Sequence, residues 1–188
     1  MSAKGVIDLT FMEIKDETEF GKRLAEALDN TSKGNSSPSK KQKEEDIKAL
    51  RLSNNLIPNF LIFSAIESSP LTATNIMWID LSFNQLKRID EDLAEHLPNI
   101  QTLYLHANQI SRYSDIRRLS CFSNIKSLTL YGNPVEEQKH YRNVVLYYFP
   151  KLTQLDFSVI TAGEREKVAS WAQIYRNCLS PDMQTLTF

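Results

Sequence analysis

At 188 residues the chain is long enough for one domain with a real core plus flanking sequence. Hydrophobic residues make up 41%, which points to a globular protein, and a formal net charge of −1 argues against direct nucleic-acid binding, which draws on a basic excess. No apolar run approaches the roughly 20 residues of a membrane span, and Met1–Thr10 lacks the features of a secretory signal, so no membrane contact is expected. Cys121 and Cys178 stand apart without CxxC spacing, as reduced thiols of a cytoplasmic protein would.

In chain order, residues 1–30 open with VIDLTFMEI, an alternating apolar segment, and continue with EFGKRLAEALDN, a short amphipathic helix candidate. This segment either folds back as an N-terminal cap or serves as an arm that docks on a partner, and its pattern does not choose. Residues 31–46, TSKGNSSPSKKQKEED, are polar and Ser/Lys-rich with Gly34 and Pro38, and read as a flexible linker. Its basic run SKKQK is followed at once by Glu44, Glu45 and Asp46, which favours a solvated segment over a nucleic-acid signal.

From residue 47 a pattern recurs, LxxLxLxxNxL with other aliphatics allowed: IKALRLSNNLI, IMWIDLSFNQL from Ile76, IQTLYLHANQI from Ile100 and IKSLTLYGNPV from Ile125. A fifth copy, LTQLDFSVITA from Leu152, has lost the asparagine, and the starts are 29, 24, 25 and 27 residues apart. The LxL pairs (Leu50 and Leu52, Ile79 and Leu81, Leu103 and Leu105, Leu128 and Leu130) have the period of a short strand, and one such unit cannot bury its apolar face alone. The pattern therefore predicts an α/β leucine-rich-repeat solenoid of about five repeats over residues 47–162, with parallel strands on the concave face and helices on the convex face. Asn55, Asn84, Asn108 and Asn133 are placed to satisfy backbone groups of neighbouring turns as an internal ladder.

The return segments carry helical stripes: Leu93 and Leu97; Ile116, Leu119 and Phe122; and Tyr141, Val144, Val145, Tyr148 and Phe149 before Pro150. The first return, Pro58 to Asn75, is the longest, with Phe60, Phe63 and Ile66. Residues 163–188 are expected to hold a C-terminal cap helix and tail, with Thr161 and Glu164 as a capping box and Val168, Trp171 and Tyr175 facing the core.

Side chains between the core leucines should line the concave face. The outward columns read Ala49, Trp78, Thr102, Ser127, Gln154; then Arg51, Asp80, Tyr104, Thr129, Asp156; then Ser53, Ser82, His106, Tyr131, Ser158. The candidate partner-binding residues are Arg51, Trp78, Asp80, Tyr104, His106 and Tyr131, because aromatics give large contact area at low entropic cost. Sheet stabilisation by cross-strand aromatics is the competing explanation. Phe83 reads as a packing residue at the strand edge. No catalytic constellation emerges: His96, His106 and His140 fall in different repeats, no phosphate-cradling glycine loop occurs, and Asp80 and Asp156, three strands apart, would be roughly 14 Å apart. No enzyme activity, cofactor or metal is expected.

The LSFNQL string from Leu81 and the closing segment from Asn133 to Arg165 resemble the cytoplasmic leucine-rich-repeat subfamily typified by the regulatory subunit of type-1 protein phosphatase. The strings WIDLSFNQL, LYLHANQI, SLTLYGNP and YRNVVL, with VIDLTF near the N-terminus, are similar to a narrower group of small repeat proteins associated with ciliated organisms. That resemblance implies a structural protein of the ciliary axoneme, monomeric within a large hetero-complex. The subfamily resemblance also implies two alternatives: a regulatory subunit that binds a phosphatase or other enzyme across the concave face, or a protein component of an RNA particle.

Overall fold

The computed structural model describes residues 5–32, 47–89 and 96–175. Seven strands form one sheet in chain order: β1 (Val6–Asp8), β2 (Ala49–Arg51), β3 (Trp78–Asp80), β4 (Thr102–Tyr104), β5 (Ser127–Thr129), β6 (Gln154–Leu155) and β7 (Ser158–Val159). β1 to β6 are parallel, and β7 runs antiparallel to β6. The register aligns the repeats as their sequences do: Leu50, Ile79, Leu103, Leu128 and Leu155 follow one another across the sheet. With Leu52, Leu81, Leu105 and Leu130 they are buried in one continuous core. This is the leucine-rich-repeat solenoid that the motif spacing predicts.

Each repeat asparagine joins two turns. Asn84 Nδ2 donates to the carbonyls of Leu52 (2.9 Å) and Leu81 (3.1 Å), and its Oδ1 accepts the amide of Ile57 (3.1 Å). Asn108 and Asn133 repeat this set one and two turns on. The residue before the asparagine is left-handed in every copy, with Asn54, Phe83, Ala107 and Gly132 at φ between 55° and 69°. Gly132 suits the position twice over, since a Cβ there would meet the Ala107 backbone nitrogen at 3.3 Å.

Residues 5–32 pack on the first repeat. β1 pairs with β2, and Leu9 N donates to Arg51 O at 2.8 Å. Asn55 serves this segment as the later asparagines serve theirs: it donates to Leu9 O and accepts from Met12 and Ile14 amides. Helix α1 (Glu17–Ser32) then buries Phe20, Leu24 and Leu28, with Phe20 edge-on to Phe63 at 6.0 Å. α1 reaches two residues into the stretch read as linker; residues 33–46 lie outside the described residues.

On the convex side the first return is not one helix. It runs as a 3₁₀ turn (Phe60–Phe63), a single helical turn α2 (Ser64–Glu67) and a second 3₁₀ turn (Ala73–Asn75). Asn59 starts it, accepting the Leu61 amide on its side chain. Leu93 lies outside the described residues, while Leu97 is buried. The two remaining stripes become α3 (Tyr113–Leu119) and α4 (Tyr141–Tyr148).

α5 (Ala162–Tyr175) covers the C-terminal end and buries Val168 and Trp171; residues 176–188 lie outside the described residues. Its capping box is formed: Glu164 Oε2 accepts the Thr161 amide at 2.8 Å, and Thr161 Oγ1 accepts the Glu164 amide at 3.2 Å. Arg165 ties the helix down by donating to Leu146 O and Leu152 O. The last repeat departs from expectation. Asp156 and Phe157 take φ of 49° and 60°, so the chain reverses after Leu155 and the strand columns end there. Asp156 and Ser158 therefore do not continue the outward columns read from the sequence.

Candidate functional site

The concave sheet carries a contiguous aromatic cluster. The parallel register sets β3, β4 and β5 side by side, so outward side chains of adjacent repeats meet at strand spacing. Trp78 and Tyr104 meet edge to face at 5.8 Å. Tyr104 approaches His106 at 6.3 Å, and His106 stacks flat on Tyr131 at 4.6 Å and 8°. Arg51 joins at one end, its guanidinium 5.4 Å above the Trp78 ring while Nη1 pairs with Asp8 at 3.2 Å. Asp80 lies between Arg51 and Tyr104 in the register, and its Oδ1 accepts the Ser82 amide (3.0 Å) and hydroxyl (2.6 Å). The six sequence candidates thus share one face.

They do not share one role. Trp78, Asp80, Tyr104 and Tyr131 are half-buried and Arg51 is exposed, but His106 is only 8% exposed and forms the floor of the cluster. His106 Nδ1 lies 2.9 Å from Thr129 Oγ1, and Thr129 is fully buried rather than outward-facing. Burial lowers the His106 pKa below the ordinary imidazole value, opposed by the charges of Asp80 and Asp156. The neutral ring that results suits flat stacking on Tyr131.

Two aromatics complete the cluster that strand columns could not find. Phe83, read as edge packing, is 53% exposed and meets His106 edge to face at 5.4 Å. Phe157, 52% exposed, comes from the terminal reversal and lies 5.5 Å from Tyr104 and 5.9 Å from Tyr131. Both owe their position to left-handed backbone, which lifts a side chain out of the strand alternation. Asp156 anchors the reversal: Oδ1 accepts the amides of Leu130 (2.6 Å) and Tyr131 (3.0 Å), and Oδ2 accepts the Tyr141 hydroxyl (2.8 Å). That role takes Asp156 out of the open surface. Exposed rings of this size, held by a rigid sheet, can bury apolar area against another protein at small entropic cost.

Among the described residues, no group of three or more His, Cys, Asp or Glu side chains could hold a metal, and no helix is long and apolar enough to cross a membrane.

A family model described as leucine-rich repeat matches residues 63–178. Leucine-rich repeat-containing protein 51 of Rattus norvegicus and of Homo sapiens are each 39% identical over 127 residues, which is 67% of this chain. The match covers 66% of those proteins, just under two thirds of their length. The probable U2 small nuclear ribonucleoprotein A' of Drosophila melanogaster is 35% identical over 86 residues, 46% of this chain and 32% of that protein. Among solved structures, the crystal structure of the Drosophila melanogaster SNF/U2A' complex contains a chain of the same fold. Its TM-score is 0.66 at 21% identity, covering 93% of this chain and 86% of that one.

Proposed function

Because the chain belongs to the leucine-rich repeat family, a family of protein-interaction modules, we propose that it is a non-catalytic adaptor that binds another protein across its concave face. The observation that carries this reading is the aromatic cluster, which ends in two phenylalanines more than half exposed. Rings that served only the sheet would have little reason to stand in water, where each forgoes part of its transfer free energy.

The finer reading is a structural component of the ciliary axoneme, in a hetero-complex in which this chain is a monomer. It is supported by the resemblance to small repeat proteins of ciliated organisms and by 39% identity to leucine-rich repeat-containing protein 51. A second reading, a protein subunit of a ribonucleoprotein particle, is favoured by the Drosophila U2A' relative at 35% identity. With a net charge of −1, the chain would join such a particle through a protein rather than through RNA phosphates.

Phe83→Asn with Phe157→Asn tests the face, since asparagine accepts left-handed backbone as Asn54 does at the equivalent position. Tagged full-length chain is expected in isolated axonemes, and the double variant should lower its retention about tenfold or more with its melting temperature unchanged. Retention indifferent to the double variant would overturn the concave face as the interface. Recovery from the soluble fraction bound to a phosphatase, or with nuclear ribonucleoprotein, would overturn the axonemal reading.

A further inference from the structure

The sheet carries one five-residue pattern twice, IDLTF at Ile7–Phe11 and IDLSF at Ile79–Phe83. Both copies fold alike. Asp8 Oδ1 accepts the amide and hydroxyl of Thr10 at 3.1 and 2.8 Å, and Asp80 Oδ1 accepts those of Ser82 at 3.0 and 2.6 Å. Phe11 and Phe83 follow at φ of 57° and 55°.

The copies differ at the second carboxylate oxygen. Asp8 Oδ2 receives Arg51 Nη1 at 3.2 Å, from the residue directly opposite on the next strand. Opposite Asp80 on its next strand stands Tyr104, which brings no charge. Among the described residues, Asp80 Oδ2 has no hydrogen-bond or ion-pair partner, although the carboxylate is half-buried. Arg51 lies between the two carboxylates in the register, and it is committed to Asp8 and to the Trp78 ring. The row therefore holds two carboxylates and one guanidinium.

We propose that the partner supplies the missing cation: the concave face takes a protein segment that presents an arginine to Asp80, with apolar side chains beside it on Phe83 and Phe157. This rests on the adaptor reading and specifies its partner. Arginine fits because its planar group can bond the free oxygen while its face lies on a ring, as Arg51 does with Asp8 and Trp78. Trp78 and Tyr104, at 87° to each other, flank Asp80 and offer the incoming guanidinium a second ring.

The probe is the N-acetylated, C-amidated peptide LRLF, with LQLF as its neutral counterpart, titrated into the ¹⁵N-labelled full-length chain. The readout is the indole N–H resonance of Trp78, with Trp171 in the C-terminal cap as an internal reference. LRLF is expected to move the Trp78 signal and to bind about tenfold more tightly than LQLF, a step within the range of one charge-assisted hydrogen bond. Asp80→Asn keeps the acceptor used by Ser82 and should erase that preference. Equal affinities for the two peptides, a preference that survives D80N, or a Trp78 signal that neither peptide moves would each overturn the arginine site. Self-association of the free chain that D80N abolishes would assign the face to a second copy and overturn it too. The peptide and D80N affinities do not bear on the adaptor reading, which fails when Phe83→Asn with Phe157→Asn leaves retention in the native assembly untouched or when a second copy of the chain takes the face.

Discussion

Phe20→Ala tests whether residues 5–32 belong to the folding unit. Phe20 is fully buried, lies edge-on to Phe63, and precedes Leu24 and Leu28 on the buried side of α1. Truncating a core phenylalanine to alanine costs about 3–5 kcal/mol, from lost transfer free energy plus the cavity left behind. In a chain of this size each kcal/mol lowers the melting temperature by about 2–4 °C, so a fall of about 6–20 °C is expected. In urea, with a slope of about 2 kcal/mol/M, the midpoint should drop by about 1.5–2.5 M. Circular dichroism should be followed together with the fluorescence of Trp78 and Trp171, which report the sheet and the far cap. Coincident transitions and an unchanged slope would mean that the N-terminal segment and the repeats melt as one body. A lower slope at an unchanged midpoint would mean that the segment detaches first. Wild-type behaviour in every probe would refute the packing argument and restore the docking arm.

Three further outcomes follow from particular groups. Asn84→Ala leaves three carbonyls and the Ile57 amide short of a partner in the core and should cost about 3 kcal/mol or more in urea unfolding, whereas Asn54→Gly, at a left-handed, half-buried turn position, should cost almost nothing. His106 should titrate below 6.5 by NMR. Its folded pKa is depressed below the unfolded one, so stability is lost as pH falls below about 6.5, and His106→Gln should flatten that limb. Glu164 is held down to about 2, first by the Arg142 guanidinium and then by the Thr161 amide. Its contribution is therefore full above the ordinary value of 4.5 and lost as pH falls toward 2, and Glu164→Gln should remove that part of the acid sensitivity.

The repeats were legible because each marked residue has a physical duty that tolerates few substitutes. Leucines at period two fill the core, and the asparagine carboxamide, on a stem one methylene shorter than glutamine's, donates to two carbonyls while accepting an amide close to its own backbone. The capping box was legible for the same reason, since Thr161 and Glu164 satisfy each other's backbone at a fixed spacing of three. The terminal reversal was not. Asp156 and Phe157 form a tight turn without the glycine or asparagine that usually marks one. What holds it is non-local: the Tyr141 hydroxyl and the amides of Leu130 and Tyr131 converge on the Asp156 carboxylate from other elements. The same reversal placed Phe157 in the aromatic cluster, so the missed turn and the missed site residue have one cause.

The role of the N-terminal segment follows from the direction in which the ladder works. Asn84, Asn108 and Asn133 each bond their own strand and reach back to the turn before it, taking an amide and giving to a carbonyl there. A repeat is thus completed by the asparagine of its successor. The first asparagine, Asn55, must then have a turn in front of it, and VIDLTFMEI fills that place through Leu9 O and the amides of Met12 and Ile14. In this turn Met12 stands at the position that the asparagine holds in the later repeats. An arm free to leave would strip Asn55 of its backward partners and open Leu50 and Leu52 to water. The ladder thus supplies a reason, independent of apolar burial, to propose that residues 5–32 act as a turn of the solenoid rather than as an appendage.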